Sequence, residues 1–157
     1  MSGAVLHKMT GSGNDFVVLD GRMHALADWP VGRITAICER RTGVGADGFV
    51  LLAPEEPGTV RMHFYNADGS RAAMCGNAAL CSTRFAASMG LAGEEMTLLT
   101  DAGPIASAVS ATGTWPRSAS VTWRCRARSP RSRCRPASAR PASAWSACRT
   151  WWSWWMT

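Results

Sequence analysis

Residues Asn66 to Cys81 read NADGSRAAMCGNAALC, and the rest of the chain is organised around them. Cys75 stands immediately before Gly76-Asn77, a pair that opens a predicted helix. The run from Asn77 to Met89 places Cys81, Phe85 and Met89 at four-residue spacing, and Gly90 follows as a C-terminal stop. Cys75 is therefore expected at the positive end of a helix dipole, where the first backbone N–H groups have no intrahelical partner. A thiol there ionises more readily than a free one, and the same N–H groups can cradle a carboxylate. The combination suits a reactive thiolate beside a bound acid. A buried structural cysteine against a glycine turn accounts for the position equally well.

Upstream of this stretch, Thr59 to Tyr65 alternates as a strand with Val60, Met62 and Phe64 on one side. Before it, Thr42 to Gly48 is a glycine-rich loop leading into the apolar strand Phe49 to Ala53. The loop could hold an anion but lacks the Lys-Ser/Thr ending of a nucleotide-binding P-loop. Asp28 is read as a helix N-cap with Pro30 in the first turn, and Val31 to Arg40 puts Ile34, Ile37 and Cys38 on one face. Ala4 to Met9 and Phe16 to Asp20 read as strands around Thr10-Gly11-Ser12-Gly13-Asn14, whose glycines permit positive φ and close backbone approach to a ligand. Downstream, Glu95 to Thr100 and Ile105 to Val109 form a strand pair joined through Asp101-Ala102-Gly103-Pro104. The order β, β, α, β, β, α, β, β predicts an α/β fold, with an antiparallel or mixed sheet curled around a helix.

The charge is divided between two unlike segments. Residues 1–113 carry eight Lys and Arg against eleven Asp and Glu, whereas 114–157 carry nine Arg and no acid, so the whole +6 arises in the tail. Six cysteines invite a disulfide reading, but Met1 to Val18 lacks the basic and apolar regions of a secretory signal. No run approaches the roughly 18 apolar residues of a membrane span. The expectation is a cytoplasmic protein with reduced thiols and no membrane partner. Cys38, Cys75 and Cys81 form no close pair and His7, His24 and His63 are scattered, so no metal site is expected.

Taken together, KMTGSGNDFVVLD, RRTGVGADGFVLL, FYNADGSRAAMCGNAALC and TDAGPI, in this order, resemble the N-terminal half of the diaminopimelate epimerases. The resemblance implies one half of a two-domain fold whose similar halves face each other across a cleft. It implies an isomerase that uses neither pyridoxal phosphate nor metal, interconverting LL- and meso-2,6-diaminopimelate in lysine synthesis. One cysteine from each half faces the α-carbon; one removes the proton and the other delivers a proton from the opposite side. By position, Cys75 matches the first catalytic cysteine, and Asn14, Asn66, Gly76 and Asn77 match substrate-binding positions. The full-length family member is expected to form a homodimer.

Three residues depart from the family pattern. Ala78 and Leu80 stand where Gly and Arg are usual, in the first helical turn, where the alanine is expected to crowd a ligand approaching the backbone and the lost arginine removes a positive charge near the site. Gly48 stands where some members use a polar side chain. Cys81 is expected in the core. A related racemase or isomerase of another small acid, such as a proline racemase or a phenazine-pathway isomerase, is the second reading.

Beyond about Gly113 the resemblance fades. Residues 114–157 contain no Leu, Ile, Phe, Gly, Asn, Asp, Glu or Lys but seven of the eight tryptophans, with no helical or strand period to bury them. A basic arm for nucleic acid is one reading, with Arg neutralising phosphate and Trp stacking on bases. The genetic code supplies a sharper one. Trp and Met have single codons, so Trp151 to Thr157, regrouped from each codon's third base, gives Val-Val-(Leu, Val or Met)-Val-Asp-Asp. Extended back to Ala147 with C or G in the free third positions, it gives Val-Pro-His-Val before it, and the phrase VPHVVVLVDD resembles one the family carries beyond its first half. Residues 1–113 are therefore read as the epimerase domain. Residues 114–157 are read as an irregular, disordered tail translated out of frame near codons 112 to 115, with no specific nucleic-acid partner.

Overall fold

Residues 16–19 and 49–52 are apolar without a break, which is the mark of strands covered on both faces. The computed structural model describes residues 4–109, 121–125 and 135–136. In it these two runs form the centre of a mixed sheet, within β2 (Asn14–Asp20) and β3 (Gly48–Pro54), which pair in parallel from Phe16 opposite Gly48 to Asp20 opposite Leu52. β1 (Ala4–Gly11) and β4 (Thr59–Asn66) flank them antiparallel. β5 (Glu95–Thr100) pairs in parallel with β4, and β6 (Gly103–Ala108) returns beside β5. The order is β6-β5-β4-β3-β2-β1, continued past β1 by the backbone of β7 (Val121–Cys125) and a two-residue β8 (Arg135–Pro136). The remainder of 114–157, on which the expectation of disorder falls, lies outside the described residues.

Alternation along each strand sends side chains to two cores. Phe16, Val18, Val50, Leu52, Val60, Met62, Phe64 and Leu98 face one side, where α2 (Gly76–Ser88) lies across β1 to β5 and adds Ala78, Cys81, Phe85 and Ala86. Val17, Leu19, Phe49 and Leu51 face the other, covered by Trp29 and by Ile34, Ile37 and Cys38 of α1 (Val31–Cys38). The predicted element order and core faces therefore stand, and the sheet is mixed.

The first helix departs from its predicted limits. Asp28 ends a separate 3-10 turn, Leu26–Asp28, where its carboxylate accepts the Ala25 N–H at 3.3 Å; Pro30 is the N-cap of α1. The reason is local: Pro30 disfavours the helical region for the residue before it, and Trp29 lies at φ −121° and ψ 66°, its side chain in the core against Phe49 with the Arg33 guanidinium 4.1 Å from its ring centroid. At the other end the chain turns out after Cys38, and Gly43 to Ala46 fold back on carbonyls of Ile37 to Glu39. A Cβ at Gly43 would lie 2.2 Å from the Ala36 oxygen, so this return requires glycine.

The β1–β2 hairpin has Gly11 opposite Asn14, with Ser12 at φ 48° and Gly13 at φ 90°. Positive φ at both central residues is the type I′ turn, whose twist matches the strands it joins. Of the two glycines, only Gly13 serves the turn. Gly11 serves an approach to α2, since a Cβ there would meet the Cys81 sulfur at 2.8 Å and the Asn77 oxygen at 3.4 Å.

Candidate active site

Cys75 is the N-cap of α2, in an extended conformation with φ −140° and ψ 122°, and no side chain caps the helix. The Cys75 carbonyl accepts the first intrahelical bond, from Ala79 N–H at 2.9 Å. The N–H groups of Gly76, Asn77 and Ala78 thus precede the intrahelical ladder and point out of the helix end. A Cβ built on Gly76 meets nothing within 4 Å, so this end is open. Cys75 itself is half-buried, while Cys38 and Cys81 are buried. Burial pushes the Cys81 thiol up to about 11, with the neighbouring Cys75 adding to the effect. Burial, then the Asp15 carboxylate, pushes Cys38 up to about 11. Both buried thiols therefore stay protonated near neutral pH, as their core positions suggest.

The loop entering α2 is fastened to the β5–β6 turn. Arg71 donates to the Asp101 carboxylate through Nε at 2.5 Å and Nη2 at 2.9 Å, and Arg61 donates to the same group. Ala102 N–H bonds the Ala73 carbonyl at 3.2 Å, two residues before the thiol. Inside the turn the Thr100 hydroxyl bonds the Gly103 carbonyl at 2.7 Å, with Gly103 at φ 117°. The TDAGPI sequence is thereby a clamp on the cysteine loop.

The opposite wall comes from the end of the sheet where β2 and β3 begin and β1 and β4 finish. Asn14 opens β2, and its Oδ1 accepts from Asn77 Nδ2 at 2.7 Å. Asn14 Nδ2 in turn donates to Asp47 Oδ2 at 3.0 Å. Asn66 closes β4 opposite Gly48. Its exposed amide donates to the Ser70 hydroxyl at 3.0 Å, within its own turn. Of the five residues singled out from sequence, Cys75, Gly76, Asn77 and Asn14 are drawn together by chain adjacency and one amide bond. Asn66 shares the sheet end but makes no bond to the other four.

The departures Ala78 and Gly48 find their places. Ala78 is fully buried in the core beneath α2, so its methyl group points away from the open helix end and does not crowd it. A Cβ at Gly48 would lie 2.8 Å from both the Phe64 ring and the Tyr65 carbonyl oxygen, so the glycine admits close strand packing. Leu80 is 54% exposed on α2.

Charged residues that sequence reading passed over surround Asn14. Arg40 donates to Asp15 at 2.8 and 3.1 Å and to Asp47 at 2.6 Å, and Lys8 reaches Asp15 at 3.0 Å and the Gly45 carbonyl at 2.6 Å. Their signal was charge inside otherwise glycine-rich motifs, KMTGSGND and RRTGVGAD. Burial raises the Asp15 carboxyl, but Arg40 and Lys8 outweigh it and hold the group far below the usual carboxylate range. Burial likewise raises Asp20, and Arg22 outweighs it to leave that carboxyl lowered. Burial lowers His7 and His63.

These shifts fix a pH profile. The two histidines bind protons more readily in the unfolded chain, so stability begins to fall as pH drops below about 6.5, the ordinary histidine value. The carboxylates contribute stability that is whole above about pH 4 and is lost as pH falls through their lowered folded values. Urea midpoints measured from pH 8 downward are expected to be level at first and then to decline in these two stages. A midpoint that rises between pH 7 and 5 would contradict this assignment.

Among the described residues, no helix is long and apolar enough to cross a membrane. Residues 6–122 match the family model described as diaminopimelate epimerase, which carries the resemblance past Gly113. A diaminopimelate epimerase of Gemmatimonas aurantiaca is 51% identical over 106 residues, 65% of this chain and 38% of that protein. One of Desulforudis audaxviator is 48% identical over 84 residues, 54% of this chain and 30% of that protein. The chain thus spans less than half the length of these relatives. Among solved structures, a PhzF-family phenazine biosynthesis protein of Bacillus anthracis superposes with a TM-score of 0.56 at 15% identity, covering 79% of this chain and 40% of that one. That likeness concerns the fold.

Proposed function

Because the chain belongs to the diaminopimelate epimerase family, we propose that it carries the first half of an isomerase site, in which Cys75 exchanges the α-proton of 2,6-diaminopimelate between its LL and meso forms. The observation that carries this reading is the half-buried Cys75 at the uncapped, open start of α2, with the Asn14–Asn77 amide pair beside it.

The chemistry follows from what this end of the helix offers. An amino acid's α-proton is weakly acidic, so its removal requires that the developing negative charge meet oriented donors. The N–H groups of Gly76 and Asn77 supply such donors for the α-carboxylate, and the helix dipole favours the anion there. A carboxylate held at that place brings the α-carbon toward Cys75, whose thiolate is a base that needs neither metal nor cofactor. Asn14 and Asn66 supply amides at the strand ends for the remaining polar groups of the substrate. A second thiol, required on the opposite face of the planar carbanion, lies outside this half.

We further propose that residues from about 114 onward are translated out of frame, with the shift near codons 112 to 115. The match closes after Thr122, within β7. From Thr114 onward the chain carries no acid and, of Val, Leu and Ile, only Val121, whereas the shifted frame of Ala147 to Thr157 recovers a strand-like phrase.

Alkylation tests the site in the chain as it stands. With peptide mapping of iodoacetamide adducts, Cys75 is expected to react well ahead of Cys38 and Cys81, and millimolar diaminopimelate is expected to slow it severalfold. Equal labelling of the three, or labelling of Cys75 that ignores the ligand, would remove the basis of the proposal.

A further inference from the structure

The amide pair at the site is set by charges behind it. Asp47 Oδ2 accepts from Asn14 Nδ2 at 3.0 Å and from the Asp15 N–H at 3.1 Å, while its Oδ1 accepts from Arg40 Nη2 at 2.6 Å. A carboxylate only accepts, so the end of the Asn14 amide that faces it must be the NH₂ end. The carbonyl end then faces Asn77, and at 2.7 Å it can be met only by the Asn77 NH₂. One fixed acceptor therefore decides the sense of two amides in series. Without it, each amide could turn over and present oxygen where it now presents N–H.

We infer that Asp47, held in place by Arg40, is a positioning residue that fixes the amide sense of Asn14 and, through it, of Asn77. Each of these amides keeps one N–H beyond the bond that orients it, and Asn77 keeps its carbonyl oxygen. The relay thus settles which donors and acceptors the site offers an acid. Arg40 is suited to the supporting part because it also grips Asp15 with two bonds, and its guanidinium is held in its charged form by both carboxylates. Asp47 is anchored independently of its side chain, its N–H bonding the Asp15 carbonyl at 2.8 Å and its carbonyl accepting from Ala67 N–H at 3.1 Å. The side chain can therefore be changed while the backbone stays fastened.

The value of the relay to catalysis rests on the function proposed above, but its existence can be measured without any ligand. In the full chain, solvent-exchange rates of the Asn14 and Asn77 side-chain NH₂ protons are read by NMR beside the backbone amides of β1 and β2. Asp47→Ala is expected to speed exchange at both side chains by about tenfold, the scale of one charge-assisted hydrogen bond, with backbone protection unchanged. Asp47→Asn is expected to restore slow exchange, because its amide oxygen can face Asn14 while Arg40 keeps Asp15. Asn77→Ala should leave Asn14 protected, since Asp47 still holds it. Unchanged side-chain exchange in Asp47→Ala overturns the inference, and so does loss of Asn14 protection in Asn77→Ala, which remains a test even if the first variant fails to fold. Protected amides in a wild-type chain that binds no diaminopimelate would sink the functional proposal and leave the relay standing.

Discussion

Deuterium from D₂O is expected to enter the α-carbon of diaminopimelate no faster with the 157-residue chain present than without it. It is expected to enter rapidly once a one- or two-base correction restores a second domain with its own cysteine, and to stop again when that corrected chain carries Cys75→Ala. The argument is geometric. Inversion at a stereocentre needs a proton donor on the face opposite the base, and the described half supplies one accessible thiol at one helix end. The far side of the carbanion would meet water, which weakens the electrostatic stabilisation on which its formation depends. Loss of a positioned base costs roughly a hundredfold to ten-thousandfold, so the Cys75→Ala effect should be unmistakable. Robust uptake by the short chain would show that a second half is dispensable. Unchanged uptake in the substituted, corrected chain would remove Cys75 from the mechanism.

Phe85→Ala is expected to be the most damaging single truncation for the helix that carries the site. Phe85 is 2% exposed, packs into the core shared by β1 to β5, and meets the His7 ring edge-on at 4.9 Å. Removing a buried phenylalanine costs about 3–5 kcal/mol through lost transfer energy and the cavity left behind. Domain stabilities are only about 5–15 kcal/mol in total, so the substitution approaches the whole margin. Equilibrium urea unfolding should register it, with Leu80→Ala, on the exposed face of the same helix, as a control expected within about 0.5 kcal/mol of the parent. A cost below about 1 kcal/mol for Phe85→Ala would mean that α2 is not anchored as described.

Much of this architecture is legible in the sequence because its signals are periodic. Val60, Met62 and Phe64 alternate, and Ile34, Ile37 and Cys38 recur at helical spacing, and all six are buried where those periods put them. The start of α2 was legible for a different reason, the Cys75-Gly76-Asn77 punctuation before an amphipathic run. What escaped was, with one exception, tertiary in origin. The exception is Asp28, whose N-cap chemistry is outweighed by Pro30, which keeps Trp29 out of the helical region so that α1 starts at Val31. Gly11 reads as a turn residue, yet its role is to admit Cys81 from a helix far along the chain. Asp47 and Arg40 carry no period at all. Their part depends on which strand ends meet, and only the register of β2 against β3 brings Asp47 beside Asn14.

The two parallel pairings, β2 with β3 and β4 with β5, have a bearing on how the molecule assembles. The hairpins β1–β2, β3–β4 and β5–β6 join neighbours in the chain and can zip within microseconds. Each parallel pair must instead wait for a crossover segment, containing α1 in one case and α2 in the other, to close a longer loop before any ladder bond rewards it. Asn14, Asp47, Asn66 and Asn77 come together only when these crossovers have closed. The site is thus a late product of folding, and intermediates that already hold all three hairpins still lack it.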